Sequence, residues 1–294
     1  MKRQEFRSLI RAIGLWALAL VMAVIVTYAV LSFYASACAL PGDGQGHGPA
    51  LSYAASATTV LDNDTGLVWQ RGTNYTVYPF AMASKWRLPT PMEAISIVDF
   101  GHRDPAQSPL FGPLADEHDG VIDSYWMNNT LTVDFNGGGV TTGTQLAYVR
   151  TLTGKANCLP NGADSYTDNG ATITSRTTGL TWTKYVGVDL DWDDARASFP
   201  ASLNAEAYGG YTDWRLPNVK ELASLMEMQP ISPLLNLQTT AFFWSSTPHA
   251  QEGGPVPTLS GAITCAWGVN GVGWVFHNDR ASLHLARAVR GGTP

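Results

Sequence analysis

The sequence predicts an α+β protein of two tandem modules, each a short antiparallel sheet with one or two helices, preceded by an N-terminal hydrophobic helix. Three observations predict it. First, four landmarks occur twice in the same order: Thr65-Gly66-Leu67-Val68-Trp69 and Thr178-Gly179-Leu180-Thr181-Trp182; Trp86-Arg87-Leu88-Pro89 and Trp214-Arg215-Leu216-Pro217; Tyr125-Trp126 and Phe243-Trp244; Val149-Arg150 and Val289-Arg290. An ordered set that recurs marks a duplicated unit, and missing such a period misreads the whole fold. Second, 29 Gly and 17 Pro among 294 residues demand many turns and leave little room for long helices. Third, Lys2, Arg3, Arg7 and Arg11 flank an uncharged stretch whose core, Ile13 to Phe33, could span a bilayer, which takes about 20 residues.

The chain is therefore divided into residues 1–37 (signal anchor or signal peptide), 38–57 (linker), 58–152 (a shortened module) and 158–291 (a complete module). Ala35-Ser36-Ala37 is a cleavage pattern, while the length of the apolar run suits an uncleaved anchor; both readings stay open. Either places the modules outside the cytoplasm, in the cell envelope, anchored in the inner membrane through residues 12–34 or exported, with the basic end inside. Lipidation of Cys38 is a third route, through a degenerate lipobox. In an oxidising compartment Cys38, Cys158 and Cys265 are disulfide candidates whose pairing sequence leaves undetermined. Charged residues make up 14%, against about 25% in a typical soluble domain. The net charge of −6, with no basic cluster beyond residue 11, excludes a general nucleic-acid binder.

Local signals place the elements. Asp191 caps a helix running to Leu203, with Trp192, Ala195 and Phe199 on one stripe. The interval from Trp69 to Trp86 is about half that from Trp182 to Trp214, so the first module lacks this helix. Thr90-Pro91-Met92-Glu93 is a capping box, repeated as Asn218-Val219-Lys220-Glu221. Glu93 and Glu221 thus read as helix caps rather than catalytic acids. The tails read as strands: 266–269, 273–276 and 283–290 in one module, 130–135 and 146–150 in the other, with Asn136-Gly137-Gly138-Gly139 as a turn.

The order Thr-Gly-Leu-x-Trp, a Trp/Asp/Ala helix, Trp-Arg-Leu-Pro-x-x-x-Glu-Leu, Phe-Trp-Ser-Ser and a closing Val-Arg resembles the DUF1566 family, also called the Lcl C-terminal domain after the legionella collagen-like adhesin. Residues 170–291 carry nearly every landmark, and 58–150 resemble a shorter copy. The Arg-Leu-Pro-x-x-x-Glu step is also similar to that of the formylglycine-generating enzymes. The resemblance implies a C-type-lectin-like core and a non-catalytic binding or adhesion role toward a glycan or an envelope protein, with self-association left open. A structural or assembly subunit making only protein contacts, and an extracellular enzyme, are the alternatives. Formylglycine-generating chemistry needs paired late cysteines, and the second module has only Cys265.

Candidate site residues follow. Trp86, Arg87, Glu93, Trp214, Arg215 and Glu221 read as a structural motif, Arg87 and Arg215 making a salt bridge or carbonyl cap rather than a ligand fork. Trp126 and Trp244 read as core. Trp267, Trp274, His277 and Asn278, near Gly-rich turns, are the ligand candidates. No cofactor is expected; Asp116, Asp119 and Asp123 could hold calcium, although a solvated acidic loop is favoured. His102, His118, His249, His277 and His284 show no metalloprotease spacing and no triad partner, and no Gly-x-Ser-x-Gly occurs.

Overall fold

Both Trp-Arg-Leu-Pro steps run into a helix whose first turn is closed by side chains. In the computed structural model the helices are α1 (Pro91–Ser96), α2 (Phe199–Ala205) and α3 (Val219–Met226). At α1 the Thr90 hydroxyl accepts from Glu93 N–H while the Glu93 carboxylate accepts from Thr90 N–H, and Pro91 stands where no donor is needed. At α3 the Asn218 and Glu221 side chains exchange the same two bonds, both under 3 Å. Before α2 the Asp191 carboxylate accepts from Asp194 N–H at 2.8 Å, so the expected cap is made. The helix there passes through a π-turn, Asp194–Ser198, and Trp192, Ala195, Phe199 and Leu203 are all buried along one stripe.

The structure describes residues 40–72, 86–102, 106–112, 124–127, 131–135, 137–142, 148–154, 159, 166–226, 235, 241–249 and 265–291. The N-terminal apolar segment, Cys38, Cys158, Asp116, Asp119, Asp123 and the Trp69–Trp86 connection lie outside these residues. Among the described residues no helix is long and apolar enough to cross a membrane.

The first half supplies β1 (Tyr53–Ala55), β2 (Thr59–Asp62), β3 (Val68–Gln70), β4 (Ser124–Trp126), β5 (Leu131–Asp134), β6 (Val140–Thr142) and β7 (Leu152–Thr153). The second supplies β8 (Tyr166–Asp168), β9 (Thr172–Ser175), β10 (Thr181–Thr183), β11 (Gly187–Leu190), β12 (Phe242–Pro248), β13 (Cys265–Asn270), β14 (Val275–Asp279), β15 (His284–Ala286) and β16 (Val289–Arg290). Two antiparallel sheets, ordered β1-β2-β3-β7 and β8-β9-β10-β16, have matching registers: Trp69 lies between Val60 and Leu152, and Trp182 between Ile173 and Val289. The remaining strands form one sheet of eight, β11-β15-β12-β13-β14-β6-β5-β4. Its seam is the antiparallel pair Val140↔Val275. Val140 also faces Val133 on its other side, and Val275 faces Val269.

Two sequence expectations need correction. Residues 283–290 are not one strand: β15 joins the sheet of eight and β16 the sheet of four, with Arg287 and Ala288 buried at the crossing between them. The Val-Arg steps are also out of register. The bridges Arg87↔Leu152 and Arg215↔Val289 align Val289 with Leu152, so Arg287, not Arg290, corresponds to Arg150. Both of these arginines are buried. The Arg150 guanidinium lies about 5 Å from the rings of Phe111, Tyr125 and Phe135 and donates to Gln107 Oε1, while Arg287 donates to the Thr183 and Lys184 carbonyls. Burial pulls both down to about 10.

One core crosses the seam. Trp69, Phe100 and Val140 from the first half and Trp182, Leu222, Trp267 and Val275 from the second belong to a single buried cluster, while Trp192, Phe199, Trp214 and Trp244 form a second. Helices α1 and α3 meet at the seam, where Lys220 Nζ donates to the Ser96 carbonyl at 2.6 Å. Met92 holds in α1 the place that Lys220 holds in α3, one residue before the capping glutamate. Burial pulls the Lys220 ammonium down to about 8, although Asp43, Asp62, Asp99 and Asp64 oppose the shift. Its folded pKa is thus below that of the unfolded chain, which holds the proton more tightly, so stability rises with pH between about 8 and 10.5. Urea unfolding at pH 7.5 and pH 10 is expected to show this rise, at most about 3 kcal/mol, in the natural chain, and to show it reduced by that amount in Lys220→Met. Identical pH dependence in the two proteins contradicts the assignment.

Candidate functional site

The most strongly charged contacts near the helix starts are already spent on structure. Arg215 grips Glu221 with both terminal nitrogens, at 2.7 and 2.6 Å, and Nη2 also donates to the Gly291 carbonyl at 3.0 Å. Arg87 does the same with Glu93, at 2.6 Å for both bonds, and with the Gly154 carbonyl. Each fork therefore fastens a helix start to the chain leaving the closing strand. The planar guanidinium suits a bidentate carboxylate, which a lysine could not match. Burial alone lowers the Arg215 pKa, and the Glu221 carboxylate more than offsets it, leaving a net rise. Arg87 and Arg215 thus each make a salt bridge and a carbonyl contact, and Glu93 and Glu221 each cap a helix start. Trp214 is buried and donates Nε1–H to the Tyr208 carbonyl; Trp86 is half-buried.

Residues 40–50, read from the sequence as part of a linker, form a strap. Asp43, fully buried, accepts from the backbone N–H groups of Gln45 and His47 and from the Thr247 hydroxyl, and it pairs with His47 Nδ1 at 2.8 Å. The Gln45 amide donates to the Phe100 and Pro248 carbonyls, bridging the two halves. Asn218 Nδ2 donates to the His47 carbonyl. Gly44, at φ +83°, passes so close to Asp99 that a Cβ would lie 2.0 Å from its carboxylate, so any other residue would strain the backbone and displace Asp99. Burial pushes the Asp43 carboxyl upward, but the bonds from His47, Thr247 and Gln45 prevail and its pKa lies below the ordinary range. The bond to Asp43 raises the His47 pKa against opposing burial and the nearby cations Arg196 and Arg215.

The strap forms one wall of a cleft of about 200 Å³ lined by His47, Gly48, Arg196, Arg215, Leu216, Asn218 and Ser246. Arg196 rises from the π-turn, an irregularity that recurs at functional sites. Its guanidinium stands 4.7 Å from the Trp192 ring, and Arg280 stands 4.1 Å from the same ring. Trp192 is fixed by its Nε1–H bond to the Ser245 carbonyl.

The expected ligand surface on the β13–β14 hairpin is only partly assembled. Trp267 is a correction: it is 2% exposed and packs edge-on against Phe100 with ring centroids 5.1 Å apart, because β13 is an interior strand whose inward face carries it. Trp274 is half-exposed beside the turn after Asn270, and His277 is exposed, with its ring 4.2 Å from that of His249. The Asn278 amide lies 2.8 Å from His284 Nε2. Trp126 and Trp244 are buried as expected. Cys265 is a free, half-buried thiol whose pKa burial raises; its candidate partners Cys38 and Cys158 lie outside the described residues. Among the described residues no group of three or more potential metal ligands comes together.

Sequence reasoning missed Asp43, His47 and Arg196. The one available signal was Asp43-Gly-Gln-Gly-His47, an acid and an imidazole four residues apart, set in glycines that read as linker.

Two outcomes are expected. In NMR titration the His47 imidazole should titrate above its ordinary 6.5 in the natural chain and fall in Asp43→Asn; an unchanged value contradicts the pairing. In urea unfolding Arg215→Ala should cost about 3 kcal/mol, because it strands a buried carboxylate. Arg87→Ala should cost less, since the Arg87 side chain is 43% exposed against 26% for Arg215; the reverse order contradicts the burial argument.

Residues 171–290 match the family model of the Lcl C-terminal domain, which therefore covers the second half of the chain from β9 to the closing strand. A search of the curated proteins finds no match.

Proposed function

We propose that this chain is a non-catalytic binding or adhesion protein of the bacterial envelope, held outside the cytoplasm, with a glycan or an envelope protein as its ligand. In this reading its two halves are tandem copies of one module with a C-type-lectin-like core. The matching registers around Trp69 and Trp182, the matching Arg–Glu forks, and the seam pair Val140↔Val275 support the duplication. The match over residues 171–290 supports the module type. The cleft beside α3 carries the functional reading: it is concave, polar side chains converge on it, and the π-turn and β12 wall it together with the strap. The half-exposed Trp274 turn is the second surface available to a ligand.

One observation favours an enzyme instead. Asp43 and His47 form a buried-acid and imidazole pair, and Ser246 lines the same cleft. An active-site serine probe of the fluorophosphonate type tests it: stoichiometric labelling of Ser246 would support hydrolysis and sink the binding reading.

The test of the main proposal is a glycan array with the full chain, paired with a pull-down from envelope extract and membrane fractionation. Binding to a defined glycan set, at least tenfold weaker in Arg196→Ala and retained in Trp274→Ala, is the expected result. Loss in Trp274→Ala alone would move the ligand to the hairpin. A blank array with one stoichiometric protein partner would replace adhesion by an assembly role, and recovery of the chain in the cytosolic fraction would overturn the envelope location.

A further inference from the structure

The charges around the cleft leave one cation over. Arg215 is matched by Glu221, and His47 by the buried Asp43. Arg196 has no carboxylate within ion-pair distance among the described residues; its guanidinium is held only by the face of Trp192. That contact orients a planar cation at the cleft without neutralising it. Arg280 stands over the same ring, and the carboxylates at the start of the π-turn, Asp191, Asp193 and Asp194, are not among the cleft's lining residues, on a chain whose net charge is −6. A basic pocket in an acidic protein is not explained by general charge composition.

The neutral groups fit the same ligand. The Asn218 amide is committed to the His47 carbonyl, which fixes the strap as a wall. Gly48, at φ +96°, has no side chain, so the wall beside Asn218 stays flat. Ser246 is half-buried at the cleft, where its backbone N–H donates to the Pro217 carbonyl and fixes the strand beside the lining.

We propose that the cleft binds the carboxylate of an acidic sugar, a uronate, between the Arg196 guanidinium and the His47 imidazolium. The sugar part of this statement rests on the proposed function; the carboxylate part rests on the cleft alone. A planar fork facing a planar anion is the geometry Arg and carboxylate prefer. The groups that face His47 are Asp43 on its own strap and the guanidiniums of Arg196 and Arg215, the latter tied to Glu221; Asn218 and Ser246 are uncharged. The bond to Asp43 favours the protonated ring. Above the folded pKa of His47 the ring is neutral, so affinity for the anion falls as pH rises through it.

The test uses the full chain and three small probes in calorimetric or NMR titration: glucuronate, acetate and glucose, at pH 6 and pH 8.5. Glucuronate is expected to bind at pH 6, at least tenfold more weakly in Arg196→Ala, and several-fold more weakly at pH 8.5. That pH effect should vanish in His47→Asn. Arg196 is exposed, so its removal should leave unfolding midpoints unchanged, which separates lost binding from lost fold. Acetate binding as tightly as glucuronate supports the carboxylate site while removing the sugar from it. Glucose binding as tightly as glucuronate overturns the carboxylate proposal and leaves the glycan reading intact. No binding of either anion at pH 6, equal binding in Arg196→Ala, or displacement by sulfate as effective as by acetate overturns the proposal.

Discussion

The Arg–Glu fork is the constraint on which the rest of the structure depends. In each half a tripeptide step places the arginine on the strand side and the glutamate at the third position of a helix, and one bidentate contact joins them. The same glutamate caps the helix, and the same arginine holds the chain leaving the last strand. The helix start, the residues just before it and a remote segment therefore meet at one ion pair. Because Glu93 and Glu221 are almost wholly buried, each would be costly alone, and the pairing is what makes the arrangement affordable in water. The fork also determines what the arginine cannot do: a guanidinium that spends both terminal nitrogens on an internal carboxylate is a wall of a site, not its ligand grip.

The halves are joined differently from beads on a linker. Strands β6 and β14 meet edge to edge, which removes two unpaired edges from the surface and extends one sheet through both halves. Beneath it the core is common to both. The strap adds a third tie through Asp43 and Gln45, and it brings His47 to a cleft otherwise built from the second half. The cleft is thus complete only when the segment preceding the first half is in place. The proposed binding role and the proposed uronate site both inherit this dependence.

Much of this was legible in the sequence because the relevant signals are local. The capping boxes at Thr90 and Asn218, the Asp191 cap and the Trp192–Ala195–Phe199 stripe each involve residues within two helical turns, and each is found. Signals that depend on tertiary placement were not legible. Trp267 looked exposed from its glycine neighbours, but the strands on either side of it decide its burial. Arg287 lay within what read as one strand over 283–290, yet the chain changes sheets there, and strand alternation no longer assigns its face. The strap was hidden by its own composition: glycines that usually mark freedom here allow close approach, and Asp43 is tied to the second half by Thr247, 204 positions away.

The two halves fold as one body across the β6–β14 seam, where the sheet and the core beneath it are continuous. Hydrogen exchange of the full chain in graded denaturant, read on peptides covering residues 40–50, 131–142 and 265–279, tests it directly. All three are expected to lose protection together, in one cooperative transition. If the peptides from the second half stay protected while those from the strap and β5–β6 have already exchanged, the halves are independent, and the cleft does not need the strap to form.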